Sequence, residues 1–174
     1  MKRPSFLLFV CLFSLMLSAT HCKKDHFELP PETTTGANTF GCKVNGKVFV
    51  PRDGKGKPGL FCQYAYLGEG EGGGWFLNIP ATDWKSDDAI GIATDSLLVE
   101  EGKTYDFKNQ KGYPQAYYFR TTKYLKLDSN TGKLHIKKFD KINRVLSGTF
   151  EFVGTKRSTG ESVNITEGRF DIVY

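Results

Sequence analysis

Histidine and cysteine are scarce in this sequence, three and four respectively among 174 residues. His26 lies in a polar N-terminal stretch and His135 on the polar side of an alternating segment. No histidines and cysteines are spaced as zinc ligands are, so no metal centre is expected. No G-x-S-x-G turn is present to carry a serine nucleophile. Acidic residues are numerous, but no two stand out as the carboxylate pair of a glycoside hydrolase. No catalytic residue is therefore nominated, and no cofactor is expected. An excess of one charge is lacking too: 24 basic residues against 19 acidic ones leave no concentrated footprint for nucleic acid. The one sustained apolar run, Phe6 to Leu17, is broken only by Ser14 and is too short to span a bilayer.

What is present is alternation. Leu146, Gly148, Phe150 and Phe152 alternate with Ser147, Thr149 and Glu151, the period-two signature of a half-buried antiparallel strand. Phe170, Ile172 and Tyr174 repeat it against Arg169 and Asp171, and Leu134 and Ile136 against His135 and Lys137. The connections Asp140 to Arg144 and Thr155 to Glu161 are short and polar, as hairpin returns are. Gly168 predicts a bulge. Asn45-Gly46 predicts a type I′ hairpin with Val44 opposite Lys47 and Cys42 opposite Phe49. Phe40, Cys42, Val44 and Phe49 then share an inward face. Further strands are expected over Leu60–Leu67, over Trp75, Leu77 and Ile79 with Pro80 as the stop, at Ile90 and Ile92, and on either side of Glu101-Gly102-Lys103. Asp128 to Gly132, DSNTG, is expected to be a hairpin turn rather than a calcium loop. The glycine-rich GEGEGGGW segment, 68–75, fits a G-x-G-x-x-G spacing. No helix follows it, and Glu69 and Glu71 would repel phosphate, so it reads as a hairpin loop. The fold class is all-β: a single antiparallel β-sandwich or flattened β-barrel of about nine or ten strands, with a calycin- or lipocalin-like barrel among the forms it admits.

Candidate functional residues are few. Cys42 and Cys62 are the cysteines left within the folded domain. An exported compartment permits a disulfide between them, and two free thiols fit the sequence equally. Trp75, Tyr118 and Arg120 are the candidate ligand contacts, because aromatic faces stack on sugars or apolar ligands and a polar group fixes orientation. Alternation sends Tyr118 and Arg120 to one face and Tyr117 and Phe119 to the other. Arg52, Lys55 and Lys57 sit in a Gly/Pro-rich loop that would either grip an anion or stay solvated. Asp83, Asp87 and Asp88 match no calcium-loop spacing.

The N-terminus gives an address. Lys2 and Arg3 precede the apolar run, and Cys22 follows Ser18, Ala19, Thr20 and His21. This resembles the lipobox of bacterial lipoproteins, which implies cleavage before Cys22 and acylation of its sulfur. The alternative is ordinary secretion with a cut near Ala19 or Thr20. Residues 1–21 are then the signal peptide, 22–38 the lipidated cysteine and a flexible tether, and 39–174 the all-β domain. Lys23, Lys24 and Asp25 resemble the charged export signals of surface lipoproteins of Bacteroidota, and equally suit a solvated stalk. NTFGCKVNGKVFVP, RVLSGTFEFVGT and ESVNITEGRFDIVY together resemble a family of small predicted lipoproteins of Bacteroidota with a domain of unknown function, over Asn38 to Tyr174. That resemblance implies an exported, lipid-anchored β domain and no activity. The expected partners are the bilayer, through acylated Cys22, and a glycan, small-molecule or protein ligand. The expected location is the cell envelope, at either face of the outer membrane. A non-enzymatic binding module leads; an apolar-ligand carrier and a hydrolase with a carboxylate pair are the alternatives.

Overall fold

The computed structural model describes residues 28–120, 125–156 and 158–174. Expectations for the signal segment, for Cys22 and for the first part of the tether lie outside these residues. The described chain is ten β-strands: β1 (Thr39–Val44), β2 (Lys47–Phe49), β3 (Gln63–Tyr66), β4 (Trp75–Asp83), β5 (Asp88–Thr94), β6 (Thr104–Asp106), β7 (Pro114–Arg120), β8 (Leu125–Asp140), β9 (Val145–Thr155) and β10 (Ser162–Val173). Every pairing between these strands is antiparallel.

The ladder runs β2-β1-β10-β9-β8-β7-β5-β4-β3, with β6 also on β8. β8 carries two partners in succession: its first residues, Leu125 to Asp128, pair with β7, and Lys133 to His135 pair with β6. The ladder creases there. Six strands (β2, β1, β10, β9, β8, β6) form one sheet and four (β7, β5, β4, β3) the other. The end strands β2 and β3 do not pair with each other, so the two layers make an open sandwich and not a closed barrel.

Inward positions fill the space between the layers. Leu77, Ile79, Ala81, Ile90, Ile92 and Tyr118 come from the smaller sheet; Phe40, Cys42, Leu134, Ile136, Phe150, Phe152, Ile165 and Phe170 come from the larger. The hairpin register is as the Asn-Gly signal requires, with Val44 opposite Lys47 and Cys42 opposite Phe49. Gly168 does mark a bulge: the β9–β10 register shifts between Ile165 and Gly168, where Phe150 leaves no room for a Cβ.

Not every expectation holds: residues 97–99, before Glu101-Gly102-Lys103, form no strand, and two others fail for identifiable reasons. Asp128–Gly132 is no turn; β8 continues through it with a bulge between Ser129 and Thr131. Gly132 absorbs the irregularity at φ 143°, packed against the backbone of Glu151 and Phe152. Pro80 does not stop β4, which runs on to Asp83. Its carbonyl accepts the Phe61 N–H, 3.2 Å away, so its ring nitrogen also faces the outer side of β4. The missing donor therefore costs nothing in the β4–β5 ladder.

The stretch expected to be tether is, from Leu29 onward, part of the fold. It straps the outer face of the larger sheet, with Pro30 and Leu29 lying on Gly41. Its clasp is Asp171, an outward residue of β10 that is nonetheless 1% exposed. The Asp171 carboxylate accepts hydrogen bonds from Thr33 Oγ1 (2.6 Å) and from the backbone N–H groups of Thr35 (2.9 Å), Gly36 (2.7 Å) and Ala37 (3.2 Å). Burial pushes this carboxyl up, but the Thr33, Thr35, Gly36 and Ala37 donors outweigh it and hold the group below the usual carboxylate range.

A depressed folded pKa means that the clasp contributes fully above the unfolded value of about 4 and is lost as pH falls through the lower folded value. Asp171→Asn, which removes the charge and faces the same donors with an amide, should cost about 2 kcal/mol at pH 7 by urea unfolding. The gap from the wild type should narrow below pH 4. A gap constant from pH 7 to pH 3 would remove the charge from this account.

Candidate functional site

The β4–β5 turn is built by Asp83. Its carbonyl accepts the Ser86 and Asp87 N–H groups (3.2 and 2.9 Å), and its Oδ1 accepts the Lys85 N–H at 3.0 Å. Asp87 takes the left-handed conformation that closes the turn, φ 60°. The loop after β2 reaches this turn and lays Arg52 beside it. Arg52 forks the Asp83 carboxylate, Nε to Oδ1 at 2.7 Å and Nη2 to Oδ2 at 2.5 Å. Asp88, at the far side of the turn, is forked in the same way by Arg120 at the end of β7 (2.6 and 3.0 Å). The Tyr118 hydroxyl donates to Asp88 Oδ1 at 2.8 Å. Ser86 Oγ joins the two halves, donating to Asp83 Oδ2 at 2.7 Å and approaching Asp88 Oδ2 at 3.4 Å.

These residues form one wall of a cleft of about 430 Å³ at an end of the sandwich. β2 and the start of β10 form the opposite wall, and Phe49 and Val163 are among the residues lining it. Planar fork-to-carboxylate bonding fixes both position and angle, so the ionic wall is rigid. Burial pushes the Asp83 carboxyl up; the Arg52 fork, Ser86 and Lys85 more than reverse this and leave it below its ordinary range. Burial and the Asp88 carboxylate both push the Tyr118 hydroxyl well up, so it stays a donor. The arrangement supplies oriented charges and hydroxyls. Among the described residues, no three or more of His, Cys, Asp and Glu come together as a metal site.

Of the residues singled out from sequence, Tyr118 and Arg120 meet here. Tyr118 is a core side chain, 3% exposed; its hydroxyl joins the wall and the Arg120 guanidinium lies over its ring, 5.8 Å from the centroid. Trp75 lies elsewhere, stacked on Tyr64 (centroids 4.9 Å apart) and tilted against Tyr66 (5.4 Å), in a cluster with Phe139 and Tyr174. One face of its indole packs on Tyr64, and the residue is half-buried. Of the loop cations, Arg52 is bound to Asp83 and Lys57 lies over the Trp84 ring. Asp83 and Asp88 each face an arginine. The pairing of Arg52 with Asp83 and of Arg120 with Asp88 escaped the sequence because the partners are 31 and 32 residues apart. The one local signal was Asp83-x-x-Ser86, a turn pattern.

Cys42 and Cys62 are free thiols, with no bond between them. Desolvation raises both: Cys62 is pushed up to about 12, and Cys42, at the centre of the core, further still.

The fold and the cleft together define an open, two-layer antiparallel sandwich with a charge-framed mouth. A family profile described as a domain of unknown function, DUF6252, matches residues 74–173, and the chain belongs to that family. Neither the curated proteins nor the solved structures contain a match. The matched span begins at β4 rather than at Asn38, so it is narrower than the sequence resemblance suggested. It contains Asp83, Ser86, Asp88, Tyr118 and Arg120, and leaves out β2 and Arg52.

Raised thiol pKa values predict slow modification of Cys42 and Cys62 in the native protein at pH 8. After unfolding without reductant, both should alkylate completely. A cross-linked peptide containing Cys42 and Cys62 in a digest would contradict the free-thiol state.

Proposed function

We propose that this protein is a lipid-anchored envelope module that binds a polar ligand or a segment of a partner in the cleft at the mouth of its sandwich. The observation carrying this reading is the rigid ionic wall: two aspartates, each forked by an arginine, face an open cleft that also has apolar lining. A few fixed polar groups beside apolar surface are what a small binding site uses to orient a ligand. The anchor rests on the sequence around Cys22, whose acylation would hold the protein on the bilayer, with each buried methylene contributing about 0.8 kcal/mol. The strap sharpens this picture. With Leu29 fixed on the sheet, only residues 23–28 separate Cys22 from the fold, a reach of about 25 Å at most. The module therefore sits close to the membrane surface, at whichever face of the outer membrane it occupies.

The two alternatives fare less well on specific observations. An apolar carrier of the calycin kind needs a barrel closed around its cargo, and β2 and β3 remain unpaired. A glycoside hydrolase needs two carboxyls free to act on the sugar, and both carboxyls of this wall are forked by Arg52 and Arg120.

Two measurements test the proposal. Cys22→Ala should abolish metabolic acyl labelling and move the protein to the soluble fraction; a variant that stays membrane-bound through a carbonate wash contradicts the anchor. In the same soluble variant, amide shifts from a library of small polar fragments should cluster on Lys47, Ser86, Tyr118 and Glu161. Hits confined to the outer sheet face contradict the cleft as the site.

A further inference from the structure

The backbone of β2 narrows the class of ligand, given the cleft as the binding site. The Asn45-Gly46 turn is closed by Val44 and Lys47, which makes that pair hydrogen-bonded. Bonded and non-bonded pairs alternate along an antiparallel ladder, so Phe49 bonds to Cys42 and Val48 does not bond to Lys43. The N–H and C=O of Val48 therefore point away from β1. β2 is the last strand of its sheet, and Val48 and Val50 both line the cleft. Among the described residues, neither takes part in the loop and turn hydrogen bonds that tie the neighbouring chain to β4. A backbone donor and acceptor thus stand unpaired along a sheet edge, facing space rather than protein.

The charges in the cleft point the same way. Arg52 and Arg120 are bound to Asp83 and Asp88. Lys47, on the β2 side, lines the cleft and has no acidic partner among the described residues, and Glu161, on the β10 side, has no basic one. These two are the charges left to meet a ligand. We infer that the cleft takes a short extended peptide that pairs with β2 through Val48 and places a carboxylate on Lys47. β2 offers three residues, so the paired segment is about three or four residues long, roughly 10–13 Å. In such strand addition, main-chain bonds supply affinity and alternate side chains supply selectivity. The inward-pointing side chain would meet Phe49 and Val163, which favours an apolar residue beside the acid. Strand addition also answers the hazard of an uncovered sheet edge, which otherwise invites pairing between copies.

The test uses the isotope-labelled Cys22→Ala chain and the acetylated tetrapeptide Thr-Val-Thr-Glu, alongside a copy with alternate amides N-methylated and a copy ending in Gln. The unmodified peptide should shift the Val48 amide and slow its exchange. N-methylation should weaken binding about 10-fold, and Val48→Pro about 3- to 10-fold, since each removes at least one main-chain bond. Proline is tolerated at an edge position whose N–H faces outward, and an unchanged melting temperature confirms that the variant folds. Lys47→Ala should weaken the Glu peptide and leave the Gln peptide unaffected. Shifts at Ser86 and Tyr118 with no change at Val48, or equal binding of the N-methylated copy, overturn the pairing and leave the cleft as a site. No shift anywhere in the mouth overturns the peptide assignment. If the fragments also miss the mouth, the cleft falls with it.

Discussion

One strand changing partners sets the shape of the whole molecule. β8 holds β9 from Asp128 to Asp140 on one side, and on the other it leaves β7 to take up β6. No flat sheet accommodates that exchange. The bulges at Ser129/Thr131 and Ile136/Lys138 add local twist to β8. The ladder folds across this strand, and the inward faces of the two halves bury each other. The open mouth is a consequence: a creased ladder whose ends do not meet leaves β2 and β3 as free edges. Both edges are short, three and four residues, which limits the exposed backbone.

The structure satisfies its buried and half-buried carboxylates in two ways, with different results. Asp171 is satisfied by backbone N–H groups and a threonine, so its partner is a piece of chain, and the outcome is a strap held on the sheet. Asp83 and Asp88 are satisfied by guanidinium forks, so the outcome is a fixed wall. Desolvation offsets much of what such ion pairs contribute. Their value lies in geometry: Arg52 and Arg120 tie the loop after β2 and the end of β7 to one turn. The mouth therefore keeps its shape without a ligand, and a ligand that enters it loses little to reorganisation of the wall. The strap acts on the opposite face and leaves the mouth unobstructed.

Much of the fold was legible because local pattern and tertiary environment agree. Leu146, Phe150, Phe152, Phe170 and Ile172, on the apolar phase of the alternation, are all core residues, and of the polar phase Ser147 and Asp171 are buried as well. Asn45-Gly46 set both the turn and the register. The misreadings fall where local chemistry has two solutions. The DSNTG segment serves a turn or a bulge, and long-range pairing of β8 with β9 chose the bulge. Pro80 stops a strand only if its nitrogen faces a ladder, and that orientation is fixed by the loop at Phe61. The tether read as polar and featureless because its partner, Asp171, lies more than 130 residues away. For the same reason the site was only half visible. Tyr118 and Arg120 were singled out by residue type, whereas Asp83, Asp88 and Arg52 come together only once β4, β5 and β7 lie side by side. Trp75 was singled out in the same way, and it packs against Tyr64 and Tyr66, away from this cleft.

Native-state hydrogen exchange at β2 reads whether the mouth is open and bordered by an uncovered strand. In the unliganded protein the Phe49 amide, bonded to Cys42, should be strongly protected, while the adjacent Val48 amide should exchange nearly as fast as an unstructured one. Equal protection of the two would mean that β2 is paired on both sides, and the mouth described here would not exist.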